Sequence, residues 1–151
     1  MNNLIIQVDS REQKNDEVIE YFDRVGQRYF VSKVPAGDYI NFRTPKVTID
    51  LKASLVELAN NLTRKHEQFR NEIILARRDM ECDLVVLIRE PLESFEAVKQ
   101  WQSNRTKLKG EQLYKIMKTI SEKYGVIWRF CTRENAGEKI IQIIEWYDKN
   151  K

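Results

Sequence analysis

The chain has 151 residues, of which 42% are hydrophobic and 32% charged, and its net charge at pH 7 is +3. This length supports one domain with a sizeable core, whereas two domains would each have a small one. No apolar stretch is long enough to span a bilayer, and the N-terminus MNNLIIQVDS lacks the basic start of a signal peptide. Two cysteines and one histidine are too few for a zinc site, so we expect a cytoplasmic protein with reduced, buried thiols.

Strands and helices are predicted to alternate in the first half of the chain. Apolar residues recur at every second position in four predicted strands, LIIQVD (4–9), YFVSKV (29–34), DYINF (38–42) and KVTIDLK (46–52). Helical spacing predicts three helices, at 14–25, 54–62 and 64–79. On the last of these helices we expect His66 and Glu72 to lie at the surface.

The second half of the chain continues the alternation. The unbroken apolar run DLVVLI (83–88) predicts a strand that is covered on both faces, and VIWRFC (126–131) predicts another. Helices are expected at PLESFEAVKQW, EQLYKIMKTISEKY and AGEKIIQIIEWYDK, with the basic loop NRTKLKG before the second. The whole pattern predicts the α/β class, as a single domain with a central mixed β-sheet flanked by helices.

Two aspartates and a lysine mark the stretch GDYINFRTPKVTIDLK (37–52). Asp50 and Lys52 are two residues apart on a strand, so their side chains project from one face about 7 Å apart. Asp38, on the neighbouring strand of a predicted hairpin, can supply a second carboxylate. Carboxylates that hold Mg²⁺, with a group that positions water, are what phosphodiester cleavage needs, and this is the logic of PD-(D/E)xK nucleases. Such a triplet also arises by chance among 23 acidic residues, so a solvated strand is the alternative.

Three ordered motifs, VDSRE (8–12), GDY (37–39) and DLK (50–52), resemble those of the XPF/Hef/Mus family of structure-specific endonucleases. That family carries V-D-x-R-E on its first strand, a G-D pair before a strand, and an E-R-K triplet followed by an acid. The order and spacing agree over roughly the whole chain. The resemblance implies a restriction-endonuclease-like fold over residues 1–151, forming one XPF/Hef-type nuclease domain that depends on Mg²⁺ or Mn²⁺.

The resemblance also implies roles for individual residues. Asp9, Asp38 and Asp50 would be metal ligands. Lys52 would position or activate the attacking water. Arg11 would contact the scissile phosphate, for which the fixed charge and fork of a guanidinium are suited.

The sequence departs from the family pattern at the third motif. The family's glutamate is Asp50 here, its middle arginine is Leu51, and its acid four residues after the lysine falls on Val56. Glu57 is the substitute that we expect, and Glu12 would anchor the phosphate-binding arginine or assist at the metal. Family members usually append tandem helix-hairpin-helix modules or a helicase, so we expect a stand-alone nuclease domain without that source of branched-DNA preference.

Basic residues outside the motifs are candidates for DNA contacts. Arg64 lies on the helix after the motif DLK, and the loop WQSNRTKLKG carries Arg105, Lys107 and Lys109 beside an aromatic residue. Each could bind a backbone phosphate, and an ordinary solvated surface is the alternative.

The last predicted helix, AGEKIIQIIEWYDK, has a wider apolar surface than one core face needs. A helix that is apolar nearly all round is buried on more than one side. Because the resemblance points to dimerisation through the C-terminal region, we expect a homodimer.

Three functions are compatible with the sequence. The first is a metal-dependent DNA endonuclease that cuts branched or flapped DNA, such as recombination or repair intermediates. The second is a non-catalytic DNA-binding module of the same fold, against which the retained carboxylates argue. The third is a sequence-specific restriction-type nuclease, which would need major-groove readers that the sequence does not obviously provide.

Overall fold

A mixed β-sheet forms the centre of the computed structural model, which describes residues 3–12 and 15–151. Its strands are β1 (Ile5–Val8), β2 (Arg28–Val31), β3 (Tyr39–Asn41), β4 (Val47–Lys52), β5 (Asp83–Arg89) and β6 (Ile127–Cys131). Over the described residues the spatial order is β2-β1-β3-β4-β5-β6. β3 runs antiparallel to β1 and β4, whereas the pairs β1–β2, β4–β5 and β5–β6 are parallel.

Helices cover both faces of this sheet. One face packs against α1 (Asp16–Val25) and α5 (Ala136–Asn150), the other against α2 (Leu55–Thr63), α3 (His66–Ile74) and α4 (Gly110–Tyr124). The predicted α/β class, with a central mixed sheet flanked by helices, is confirmed. No helix in the described part of the chain is long and apolar enough to cross a membrane.

The start of α2 shows how the local sequence sets the boundary of a helix. The Ser54 side chain accepts a hydrogen bond from the Glu57 N–H at 3.1 Å and so caps the first turn of the helix. The preceding strand, β4, ends at Lys52, two residues before Ser54. The predicted helix start is therefore correct, and the helix begins directly beside the motif DLK.

Gly37 sets the approach of the chain to β3. Its φ is +83°, a left-handed conformation that glycine adopts without strain. A Cβ here would overlap the Thr48 hydroxyl, which donates a 2.6 Å hydrogen bond to the Ala36 carbonyl. The glycine of the motif GDY thus allows the backbone to pass close against β4, with Asp38 as the next residue.

Several local predictions need adjustment. The predicted strands 29–34 and 38–42, which correspond to β2 and β3, follow one another in the sequence but are not paired, because β1 lies between them. The segment PLESFEAVKQW forms only a 3₁₀ turn at Phe95–Gln100, and the helix predicted for 64–79 continues beyond α3 as a π-helical turn at Leu75–Asp79. Lys14, the predicted start of α1, lies outside the described residues. Both cysteines, Cys82 and Cys131, are free and buried as expected.

Candidate active site

Asp38 lies where β1, β3 and β4 meet. Its N–H donates to the Ile49 carbonyl at 2.7 Å, and its own carbonyl accepts from the Asp9 N–H at 2.8 Å. Its carboxylate oxygen Oδ2 accepts from the Leu51 N–H at 2.8 Å. The first two bonds hold the Asp38 backbone between β4 and the end of β1, and the third holds its carboxylate against β4.

Asp50 and Lys52 project from the same face of β4, as their spacing predicted. The Lys52 Nζ lies 3.1 Å from Asp50 Oδ2, and Asp50 is only 5% exposed. The contact is an ion pair without hydrogen-bond geometry, since no donor in the described part of the chain hydrogen-bonds to this buried oxygen. The polar face of β4 is therefore covered rather than solvated.

Glu72 joins this site from α3, and its expected surface position is wrong. The carboxylate is close enough to Asp50 to share a proton with it, and its oxygen Oε1 is buried without a hydrogen-bond partner among the described residues. Phe69 and Ile73, on the inward side of α3, are both buried. Glu72 follows Phe69 by three residues, a spacing that places it on the inward face. An acid at that spacing was the signal in the sequence; His66 is exposed as expected.

The three carboxylates and the lysine strongly perturb one another. Burial, with the Asp50 and Glu12 charges added, raises the pKa of Asp38 well above its usual value. Burial, followed by the Asp50 charge, raises the pKa of Glu72 to about 9. Burial acts to lower the pKa of Lys52, but the surrounding acids outweigh it and the net shift is upward. The lysine is therefore cationic at neutral pH, beside acids whose ionisation is opposed by burial and by their neighbours' charges.

Asp9 and Arg11 form a separate, adjoining unit. The Arg11 Nε lies 3.0 Å from Asp9 Oδ2, and its Nη2 donates to the Val34 carbonyl at 2.7 Å. Asp9 Oδ1 also accepts from the Val34 N–H at 2.9 Å. Asp9 is buried, whereas 59% of the Arg11 side chain is exposed. The structure thus uses the Asp9 carboxylate to hold the guanidinium at the rim of the site.

The two auxiliary acids named from the sequence differ in their surroundings. Glu12 is half-buried and near enough to Asp38 for its charge to raise the pKa of that aspartate. The Glu57 oxygen Oε2 accepts from the Ala53 N–H at 3.3 Å, at the start of α2. Glu57 contributes a charge near Lys52 and at the same time stabilises the helix terminus.

The candidate DNA-binding residues fall on one side of the molecule. Arg64, at the end of α2, lines a cleft of about 660 Å³ together with Arg105 and Lys107 of the loop before α4. Lys109 lines an adjacent depression of about 590 Å³, which Lys107 shares. All four side chains belong to exposed residues. The structure therefore brings together two basic segments that lie forty residues apart in the sequence.

The carboxylates fit a divalent cation through a pair of ligands. Among the described residues, no three His, Cys, Asp or Glu side chains converge as a preformed metal site. Asp38 and Glu72 each lie close to Asp50. Among the described residues, one buried oxygen of Glu72 has no hydrogen-bond donor, and that of Asp50 has the Lys52 ion pair. Mg²⁺ prefers oxygen ligands and binds through one or two carboxylates plus waters and substrate oxygens. This donor set suits such an ion.

Comparisons with known proteins agree with this geometry. The sequence profile described as the ERCC4 domain matches residues 8–144. The fold is similar to that of XPF from Aeropyrum pernix, with 16% identity, a TM-score of 0.72, and coverage of 97% of this chain and 62% of that one. It is equally similar to XPF from Aeropyrum pernix in a complex with DNA, at 16% identity and a TM-score of 0.72, covering 99% and 67%.

No curated protein sequence matches the chain significantly. The chain spans about two thirds of the length of the XPF structures that it matches. At 16% identity these structures show the fold, which includes a mixed sheet flanked by helices.

The carboxylate cluster predicts how stability depends on pH without metal. Asp38 and Glu72 bind protons more tightly in the folded than in the unfolded state. Their contribution is fully present below the unfolded pKa values and is lost as pH rises through the folded ones. In EDTA, the free energy of unfolding measured with urea should therefore fall between about pH 5 and about pH 9.

Matched variants separate this cluster from the other ionisable groups. Glu72→Gln should flatten the fall, whereas Glu67→Gln, on the exposed side of the same helix, should leave it unchanged. A wild-type protein whose stability stays constant or rises over this range would contradict the prediction.

Proposed function

This chain belongs to the ERCC4 domain family, and from that premise we propose that it is a metal-dependent DNA endonuclease acting on branched or flapped DNA. The observation that carries the proposal is the buried Asp38–Asp50 carboxylate pair, with the Lys52 ammonium 3.1 Å from Asp50. Residues 1–151 would form one XPF/Hef-type nuclease domain, working in the cytoplasm of a bacterial or phage-infected cell on recombination or repair intermediates.

Asp38 and Asp50 would hold the divalent cation, Mg²⁺ or Mn²⁺. Asp9 would add a further carboxylate at the same edge, where its N–H already bonds to the Asp38 carbonyl. When bound, the cation would lower the pKa of a water molecule and offset negative charge on the phosphate. The cost of burying like charges together supports this role, because a cation would compensate them.

Lys52 acts as a cation rather than as a base in this proposal. The neighbouring acids raise its pKa, so the ammonium stays protonated at neutral pH. A protonated amine cannot accept the proton of the attacking water, but it can donate hydrogen bonds that orient the water. It also offsets charge that develops on the phosphate in the transition state.

Arg11 would contact the scissile phosphate. The hydrogen bonds to Asp9 and Val34 restrict the guanidinium before substrate arrives, so little conformational entropy is lost on binding. Its exposed edge can then donate to phosphate oxygens.

The basic cleft extends the DNA path away from the carboxylates. α2 begins just after Lys52 and ends just before Arg64, so the two ends are about 13 Å apart along the axis. That length corresponds to roughly four nucleotides of one duplex strand, at about 3.4 Å each. A strand positioned at Asp50 can therefore reach Arg64, Arg105 and Lys107.

Cleavage assays test the function directly. End-labelled linear duplex, single strand, flap, splayed arm and four-way junction should be incubated with Mg²⁺ or Mn²⁺. We expect metal-dependent cutting of a branched substrate, with kcat/KM reduced about 100-fold or more by Asp50→Asn and by Lys52→Ala. The exposed residues Asp79 and Lys118 provide controls, Asp79→Asn and Lys118→Ala, that should cut normally.

The alternatives make different predictions for the same assay. Tight DNA binding without cutting under all metal conditions would favour the non-catalytic DNA-binding module. Cutting of linear duplex at one sequence would favour the restriction-type nuclease.

The basic cleft has a quantitative test in the salt dependence of binding. The double variant Arg105→Ala/Lys107→Ala should reduce the slope of log affinity against log salt by about 2, because each lost phosphate contact removes about 0.9. Fluorescence anisotropy with a labelled junction, in Ca²⁺ to prevent cutting, would measure it. Arg24→Ala/Arg43→Ala removes two exposed charges elsewhere and should leave the slope unchanged. Equal slopes for the two double variants would exclude the cleft as a DNA contact.

We also propose that the protein is a homodimer through α5 and the edge strand β6. The buried side of α5, including Ile140 and Ile144, packs on the core, while Trp146 remains 52% exposed. Trp146 and Ile143 line a groove of about 430 Å³ against Ile127 of β6. The apolar surface beyond one core face, expected from the sequence, is thus concentrated in one groove that a second copy can cover.

Solution mass tests the dimer. Multi-angle light scattering at micromolar concentration should give twice the monomer mass for the wild type and the monomer mass for Trp146→Ser. Phe42→Ser is a matched control, since Phe42 is 51% exposed but packs against Phe30 of β2, the strand at the opposite end of the sheet from β6. A monomeric wild type, or equal dissociation by both variants, would count against this interface.

A further inference from the structure

We propose that Glu72 is a further ligand of the divalent cation, which it would hold together with Asp50 of the Asp38–Asp50 pair. This inference rests on the proposed function and deepens it. It assigns to α3 the acid that the family pattern places four residues after the lysine, where this chain has Val56. The sequence had pointed to Glu57 instead.

The position of Glu72 in the fold brings its carboxylate to β4. Phe69 and Ile73 anchor α3 on the hydrophobic core, and both are buried. Glu72 lies on the same inward side, so its side chain meets Asp50 and lies near Lys52. A residue on α3 therefore reaches the metal edge although it follows the lysine by twenty positions.

One carboxylate oxygen of Glu72 is buried without the hydrogen bond that such an oxygen ordinarily accepts. Its Oε1 is buried and has no hydrogen-bond donor in the described part of the chain, while the neighbouring Asp50 Oδ2 is compensated there by its ion pair with Lys52. Buried carboxylate oxygens ordinarily accept hydrogen bonds, because their desolvation is otherwise uncompensated. Two such oxygens on neighbouring acids, one of them on an aspartate only 5% exposed, form the donor pair that a hard cation requires.

Other glutamates near the site show what a structural carboxylate looks like here. Glu57 accepts from the Ala53 N–H at 3.3 Å, and Glu90 accepts from the Leu55 N–H at 3.0 Å. Both carboxylates bond to backbone donors at the start of α2, where the helix dipole also favours negative charge. The buried Glu72 oxygen has no such role in the fold, which separates it from these two.

Manganese binding tests the assignment apart from catalysis. Mn²⁺ alone is titrated into the wild type, Glu72→Gln, Asp50→Asn and Glu67→Gln, and free Mn²⁺ is followed by its electron paramagnetic resonance signal. We expect Glu72→Gln to weaken Mn²⁺ affinity about tenfold or more, as Asp50→Asn does. Glu67→Gln, an exposed position on the same helix, should bind as the wild type does.

A stability measurement guards against an unfolded variant. In EDTA at neutral pH, Glu72→Gln should be about as stable as the wild type, because the amide is uncharged like the carboxyl group that a pKa of about 9 keeps protonated. Lost Mn²⁺ binding in a stable protein then reports a lost ligand.

The outcomes distinguish this inference from the function on which it rests. Wild-type Mn²⁺ affinity in Glu72→Gln, with affinity lost in Asp50→Asn, would overturn the role of Glu72 and leave the nuclease proposal standing. A wild type that neither binds Mn²⁺ nor cuts any DNA would overturn both.

Discussion

The candidate site depends on one electrostatic constraint, which is that three carboxylates are buried together against a single ammonium. Asp38, Asp50 and Glu72 stand side by side, and Lys52 is the basic group that lies within 3.1 Å of the central aspartate. In water such an arrangement would disperse, because like charges repel and burial costs each of them solvation. The rest of the fold has to hold the carboxylates in place against that repulsion.

The backbone supplies this restraint through the sheet rather than through loops. Asp38 is bonded by its N–H and its carboxylate to β4 and by its carbonyl to Asp9, directly after β1, so it cannot turn away. Asp50 is inside β4, between a parallel neighbour and an antiparallel one. α3 is anchored by Phe69 and Ile73, which pack in the hydrophobic core, and it brings Glu72 to the site. Sites on regular elements keep their geometry better than sites on loops, which suits precise phosphate chemistry.

Electrostatics also divides the molecular surface into two working regions. The carboxylates oppose one another's ionisation, whereas Arg64, Arg105 and Lys107 make the neighbouring cleft positive. Such a cleft attracts polyanions. Arg11 lies beside the carboxylates, with its guanidinium oriented by Asp9. In the proposed nuclease, a cation would let the carboxylates ionise while the cleft holds phosphates.

Periodicity in the sequence determined the strand and helix types and the α/β class, because alternation and helical spacing reflect which side of an element is buried. It also placed Asp50 and Lys52 on one face of β4. Strand order, the position of β1 between β2 and β3, and the meeting of Arg64 with Arg105 depended on tertiary packing. Glu72 was the main error, since it was expected at the surface although its spacing from Phe69 indicated an inward position. That this inward position faces Asp50 depended on how α3 packs in the tertiary structure.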